Sequence, residues 1–97
     1  MRVTFDPAKN ARNTAERSLS FERVADLEWE TAVAVEDDRK DYGERRLRVM
    51  ALLGPRLHVA MVTFRGDATH VISFRKANSR DIKRYAEEKN RRGLPPR

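Results

Sequence analysis

Residues Arg46–Lys76, RLRVMALLGPRLHVAMVTFRGDATHVISFRK, decide the fold. The stretch opens with strict alternation. Leu47, Val49, Ala51 and Leu53 fall on one side, and Arg46, Arg48, Met50 and Leu52 on the other. A period of two belongs to a strand, and an unbroken apolar series marks its buried face. Gly54-Pro55 predicts a tight connection. Leu57–Phe64 is β-rich, which predicts a central strand covered on both faces. Arg65-Gly66-Asp67 is a second turn, and Thr69–Arg75 reads as one more strand. Three strands on short turns make an antiparallel meander.

The flanks supply two further strands and the helices. Arg2–Phe5 and Ala32–Val35 suit a pleated surface. Asp6-Pro7 predicts a helix start, because Asp caps and Pro needs no amide hydrogen at the first position. Ala8, Ala11 and Ala15 line one face of that helix as far as Arg17. Ser20 predicts a second cap, with Leu19 and Val24 at staple positions and Phe21, Val24 and Ala25, with Leu27 or Trp29, as the buried stripe. Ser79 predicts the start of a last helix, packed through Ile82, Tyr85 and Ala86 and braced by Glu87–Arg91 and Glu88–Arg92 pairs. Gly93 and Pro95-Pro96 end it. The expected class is α+β: an antiparallel sheet with two N-terminal helices and a C-terminal helix on one face. Residues 1–92 are expected to form a single domain and 93–97 a flexible tail.

The chain has 97 residues, 39% hydrophobic and 37% charged, with 21 Lys plus Arg against 15 Asp plus Glu. A net charge of +6 favours an anionic partner, of which nucleic acid is the commonest. Arg can hold a phosphate through two parallel hydrogen bonds and stays charged at any working pH. With no Cys, disulfides, thiolate metal sites and Cys nucleophiles are excluded. No apolar run approaches the ~20 residues that span a bilayer, and the polar opening gives no secretion signal. A cytoplasmic protein without membrane contact is expected.

The candidate chemistry is basic. His58 and His70 fall in strands without metal-ligand spacing, so no metal or cofactor is expected. His58 reads as a partly buried strand residue and His70 as a solvated one. No Gly-rich phosphate loop or Ser nucleophile motif occurs. Arg75-Lys76 ends the last strand, and Arg80, Lys83, Arg84 and Tyr85 follow on the last helix. If the polar strand faces lie on one side of the sheet, Arg46, Arg48, Ser73 and Arg75 line a concave surface, with Arg65 at the far turn. Clustered guanidinium groups can stabilise the pentavalent transition state of RNA cleavage. The ribose 2′-OH then serves as nucleophile, and a Lys, Tyr or Glu moves protons. The same residues equally suit a solvated face.

Several motifs together resemble the BrnT family of toxins, within the RelE-like ribonuclease superfamily. Phe5-Asp6-Pro7 with Lys9, Asn10 and Asn13 resembles the family's opening. Ser20-Phe21-Glu22 resembles its second helix start, and Asp38-Arg39 with Tyr42-Gly43-Glu44-Arg45-Arg46 its acidic loop and following strand. Ile72-Ser73-Phe74-Arg75-Lys76-Ala77 with Ser79, Arg80 and Tyr85 resembles its C-terminal signature. The resemblance runs from about Val3 to Glu88. Glu16-Arg17-Ser18 departs from the usual Lys-His-Gly, Phe5 stands for the common Trp, and Phe74 replaces a small residue.

This resemblance implies a metal-independent endoribonuclease that halts translation. It implies a BrnA-like ribbon-helix-helix antitoxin as partner, and operator DNA bound only through that antitoxin. Arg75, Lys76, Tyr85, Arg48 and Glu44 are its expected catalytic residues. Arg46, Arg65, Arg80, Lys83 and Arg84 are its expected RNA-binding residues. The alternatives are a non-catalytic nucleic-acid-binding module, and a decayed toxin kept as an antitoxin-binding corepressor.

Overall fold

The structure, a computed structural model, describes residues 1–94. The remainder of the tail expected at 93–97 lies outside the described residues. Strands β1 (Arg2–Phe5), β2 (Val33–Glu36), β3 (Leu47–Leu53), β4 (Arg56–Arg65) and β5 (Ala68–Lys76) form one sheet in the order β1-β5-β4-β3-β2. The meander is antiparallel from β2 through β5, and β1 joins β5 in parallel. Helices α1 (Pro7–Arg17) and α2 (Ser79–Arg91) complete the chain with two short 3-10 segments.

Both faces of the sheet are covered, rather than one. On the first, Leu19, Phe21, Val24 and Leu27 pack over Val49, Ala51, Ala60, Val62, Val71 and Phe74. On the second, Ala77 and Tyr85 cover Val33, Met50, Leu57 and Val59. The reason lies in β3. Met50 and Leu52 alternate with the Val49 series, so its second face also carries apolar area that favours burial.

The expected second helix is instead a 3-10 segment, Phe21–Asp26. Its buried residues are Phe21 and Val24, and buried Leu27 follows at the C-cap. At three residues per turn these positions eclipse and form a single row, which an α-helix would fan out. Ser20 does cap the segment, its hydroxyl accepting from the Glu22 N–H at 3.3 Å. A second 3-10 turn, Trp29–Thr31, leads into β2.

Helix α1 starts as expected, with Asp6 accepting from the Ala8 N–H at 2.9 Å. Its packing is different: no residue of α1 is buried, and Ala8, Ala11 and Ala15 are exposed. Two asparagines hold it. Asn10 Oδ1 accepts from the Phe21 N–H at 2.8 Å, and Asn13 Nδ2 donates to the carbonyls of Leu19 and Phe74 at 2.9 and 3.0 Å. β1 pairs with β5 only as far as Val71, so Asn13 satisfies a carbonyl on the unpaired part of that edge.

In α2 the cap is Asn78 rather than Ser79. Its side chain accepts from the Asp81 N–H, and Asp81 accepts from the Asn78 N–H, a reciprocal box. The buried stripe is Asp81, Tyr85 and Lys89, whereas Ile82 and Ala86 face out. Starting the stripe at Asp81 rotates Ile82 away by about 100°. Glu88, not Glu87, holds Arg91, at 2.7 Å, and it also holds Arg92 at 3.1 Å. Gly93 and Leu94 bond back to the Asn90 and Lys89 carbonyls, which closes the helix.

Ser18 ends α1 with φ 54°, the sole non-glycine at positive φ among the described residues. Its Cβ crowds the backbone there, which a glycine would avoid. Ser18→Gly is expected to stabilise the fold by roughly 0.5–1 kcal/mol, a Tm rise of about 2–8 °C for a domain this size. Thermal unfolding by circular dichroism checks this, and an unchanged or lower Tm would contradict it.

Candidate active site

The register defines the face on which α2 sits. Val35, Arg48, Met61 and Ser73 lie in one row across β2, β3, β4 and β5. The neighbouring row is Val33, Met50, Val59 and Arg75. Tyr85 and Ala77 close over that second row, so α2 covers one half of the face. The Arg48 row lies beyond it and is partly open, with Ser73 exposed.

One irregularity extends the open half. Met61 pairs with Ser73 but Val62 with Val71, which leaves Ile72 as an extra residue in β5. After this bulge Thr63 pairs with His70, and His70 with Thr4. Thr63 shares its face with Met61, so His70 shares its face with Ser73. The open half thus runs from Ser73 to His70 along β5, with Arg75 at its border, and from Arg48 to Arg46 just before β3. Strand spacing and rise place the Arg48 and His70 Cα atoms about 12 Å apart.

His70 is the residue that the sequence reading passed over. Its Nδ1 lies 2.9 Å from the Thr4 hydroxyl. Burial pushes its imidazole below the ordinary value, the Arg65 charge pushes the same way, and Glu44 opposes them. The neutral form is therefore favoured, and the ring is half-buried rather than solvated. Plain alternation puts residues 70 and 73 on opposite faces, so the sequence held no signal for this placement.

At the same end, Glu44 forms ion pairs with Arg65 at 3.2 Å and Arg46 at 3.7 Å. The Arg65 hydrogen bonds hold its carboxyl below the usual range, which makes it a poor proton acceptor. Arg46 stacks on the Tyr42 ring at 4.0 Å, and its buried Nε has no hydrogen-bond partner among the described residues. Tyr42 in turn donates to the buried Asp37 carboxylate, which also takes a bidentate Arg39. This loop cluster fixes Arg46 and Arg65 at one edge of the open half.

The remaining candidates separate. Arg75 is pinned to the buried Asp81 carboxylate at 2.6 and 3.3 Å, so much of its charge is already balanced. Arg48 forms no ion pair within 4.0 Å among the described residues, and it borders a hollow of about 120 Å³ that Arg84, Glu87 and Glu88 of α2 also line. Arg80 and Lys83 are exposed on α2. Lys76 lies on the opposite alternation to Arg75 and borders a hollow with Arg17 and Leu19. The Tyr85 phenol is buried; it donates to the Thr31 carbonyl at 3.3 Å and accepts from Lys89 at 3.2 Å. Tyr85 thus braces the core beneath α2 and does not join Arg48 on the open half.

His58 is likewise structural, buried against the Phe74 ring with Nδ1 at 2.9 Å from the Arg56 carbonyl. Among the described residues, no three His, Cys, Asp or Glu side chains gather as a cation-binding set. Among the described residues, no helix is long and apolar enough to cross a membrane.

No curated protein sequence matches the chain. A family model described as "Ribonuclease toxin, BrnT, of type II toxin-antitoxin system" matches residues 5–81. That span holds the last residue of β1, all of α1, β2 through β5 with the bulge, and the start of α2. The chain therefore belongs to the BrnT family of ribonuclease toxins of type II toxin–antitoxin systems.

Proposed function

We propose that this protein is a metal-independent endoribonuclease toxin that cuts RNA on the open half of its α2-side sheet face. The observation that carries the reading is the shared face of Arg48, Ser73 and His70, with Arg75 in the adjoining row. Arg48, in no ion pair among the described residues, is the guanidinium that meets the phosphate, in a hollow it shares with Arg84, Glu87 and Glu88. Arg75, oriented by Asp81, borders the same surface. Their hydrogen bonds strengthen as negative charge builds on the phosphorane oxygens.

His70 takes the proton in this mechanism. The mechanism takes the tautomer in which Nδ1–H donates to the Thr4 hydroxyl 2.9 Å away, which leaves the lone pair on Nε2. Nε2 removes the proton from the ribose 2′-OH, the 2′ oxygen bonds to phosphorus, and the bond to the 5′ oxygen breaks. The 5′ oxygen leaves as a hydroxyl after taking a proton from water. Glu44 stays ionised and positions Arg46 and Arg65 for the flanking backbone.

Loss of messenger RNA by this route would arrest translation. Neutralisation would come from a BrnA-like ribbon-helix-helix antitoxin covering the basic face with complementary charge, and operator DNA would be bound through that antitoxin. One set of contacts favours a second reading, a non-catalytic corepressor: Tyr85 is committed to the core and Arg75 to Asp81.

Two measurements separate these readings. Induced without its antitoxin, the wild-type chain is expected to stop growth, and Arg48→Ala to relieve the arrest with a 10²–10³-fold lower kcat. Arrest that persists in a folded Arg48→Ala variant would remove Arg48 from the site. Normal growth with soluble wild-type protein would favour the corepressor. The pH profile tests His70. A base must be deprotonated, so kcat should rise with pH through a value below the ordinary 6.5 and then level off near neutrality. His70→Gln is expected to abolish that rise and lower kcat about 10²–10⁴-fold. An unchanged profile would exclude His70 as the base.

A further inference from the structure

A second cationic surface lies outside this face. Helix α1 runs beside the part of β5 that β1 leaves unpaired, and Asn13 ties the two together. Between them is a groove of about 330 Å³, walled by Lys9, Arg12, Glu16 and Arg17 of α1 and by Ile72 and Ser73 of β5. Lys9, Arg12, Glu16 and Arg17 recur at helical spacing along one side of α1, about 12 Å from end to end. At the far end Arg17 also borders the hollow that contains Lys76.

The charges here are not balanced from within. Among the described residues, Lys9, Arg12, Arg17 and Lys76 have no acidic partner within 4.0 Å, whereas Arg65, Arg75, Arg91 and Arg92 each have one. Glu16 is the one carboxylate in the wall. Arg17 favours the dipole at the end of α1, but Lys9 and Arg12 have no such role near its start. The row does create a local positive potential for an external polyanion.

We propose that the α1–β5 groove is a backbone-binding track for single-stranded RNA, carrying the strand that flanks the scissile phosphate. This rests on the ribonuclease reading above. Continuity favours RNA over an acidic protein segment, because Ser73 borders both the groove and the open half of the sheet face. The groove presents no exposed aromatic side chain for base stacking, since its one ring, Phe21, is buried. It therefore reads phosphate charge and not sequence.

The test uses a 2′-O-methyl oligoribonucleotide, which lacks the nucleophile and reports binding alone. Lys9→Gln/Arg12→Gln/Arg17→Gln replaces three exposed side chains, and an unchanged thermal melt confirms its fold. The triple variant is expected to bind the oligonucleotide at least tenfold more weakly at low salt. Its slope of log K against log[salt] should be shallower by about 2, from roughly 0.7 per lost phosphate contact. With cleavable RNA, KM should rise while kcat is unchanged.

Wild-type affinity and slope in the triple variant would overturn the proposal. So would loss of binding to a poly-glutamate peptide with oligonucleotide binding intact, which would assign the groove to an acidic protein. Should wild-type protein fail to cut RNA, the oligonucleotide titration still decides the groove independently of the nuclease reading.

Discussion

The extra residue at Ile72 is the constraint on which the site depends. Without it, the pairing of Met61 with Ser73 would place His70 on the packed face, among Val62 and Phe74. With it, the polar side chains of β5 on either side of the bulge emerge on one surface. Burial of Val71 and Phe74 on the opposite side locks this arrangement, because slipping either residue would expose a large apolar group. The packing of the first face therefore dictates the chemistry displayed on the second.

The second face is divided by the placement of α2. Its N-terminus is fixed by the Asn78–Asp81 box, and Asp81 is satisfied twice more by Arg75. A buried carboxylate is tolerable only with such partners, so Arg75 is drawn toward the helix. Tyr85, one turn on, seals the lower half through Thr31. Beyond Tyr85 the face opens toward exposed Ser73, while Arg84, Glu87 and Glu88 of α2 border Arg48. In this arrangement, the arginine that the signature singles out serves the helix start, and Arg48 forms no ion pair among the described residues.

Much of the fold was legible in the sequence, for reasons that can be named. The alternation from Leu47 to Leu53 and the turns at Gly54-Pro55 and Arg65-Gly66-Asp67 specify the meander, since each is a local signal. The 3-10 segment was missed because Phe21, Val24 and Leu27 fit both helical periods, and only tertiary contact chooses between them. Helix α1 misled through its alanines, whose small side chains suit any environment, while Asn10 and Asn13 made the contacts. In the candidate site, the arginines of β3 were legible from strand parity. His70 was not, because a bulge reverses parity without leaving a mark in composition. Lys76 and Tyr85 were grouped with Arg75 by sequence proximity, and a strand and a helix each send neighbours to different sides.

In the proposed mechanism, this surface turns the substrate's own 2′-hydroxyl into the attacking group. Purified protein incubated with RNA in EDTA, followed by mass analysis of the fragment ends, decides between this route and a metal-dependent one. Attack by the 2′-hydroxyl leaves 2′,3′-cyclic phosphate and 5′-hydroxyl termini. Cutting that stops on chelation, or fragments that bear 5′-phosphate and 3′-hydroxyl ends, would contradict it.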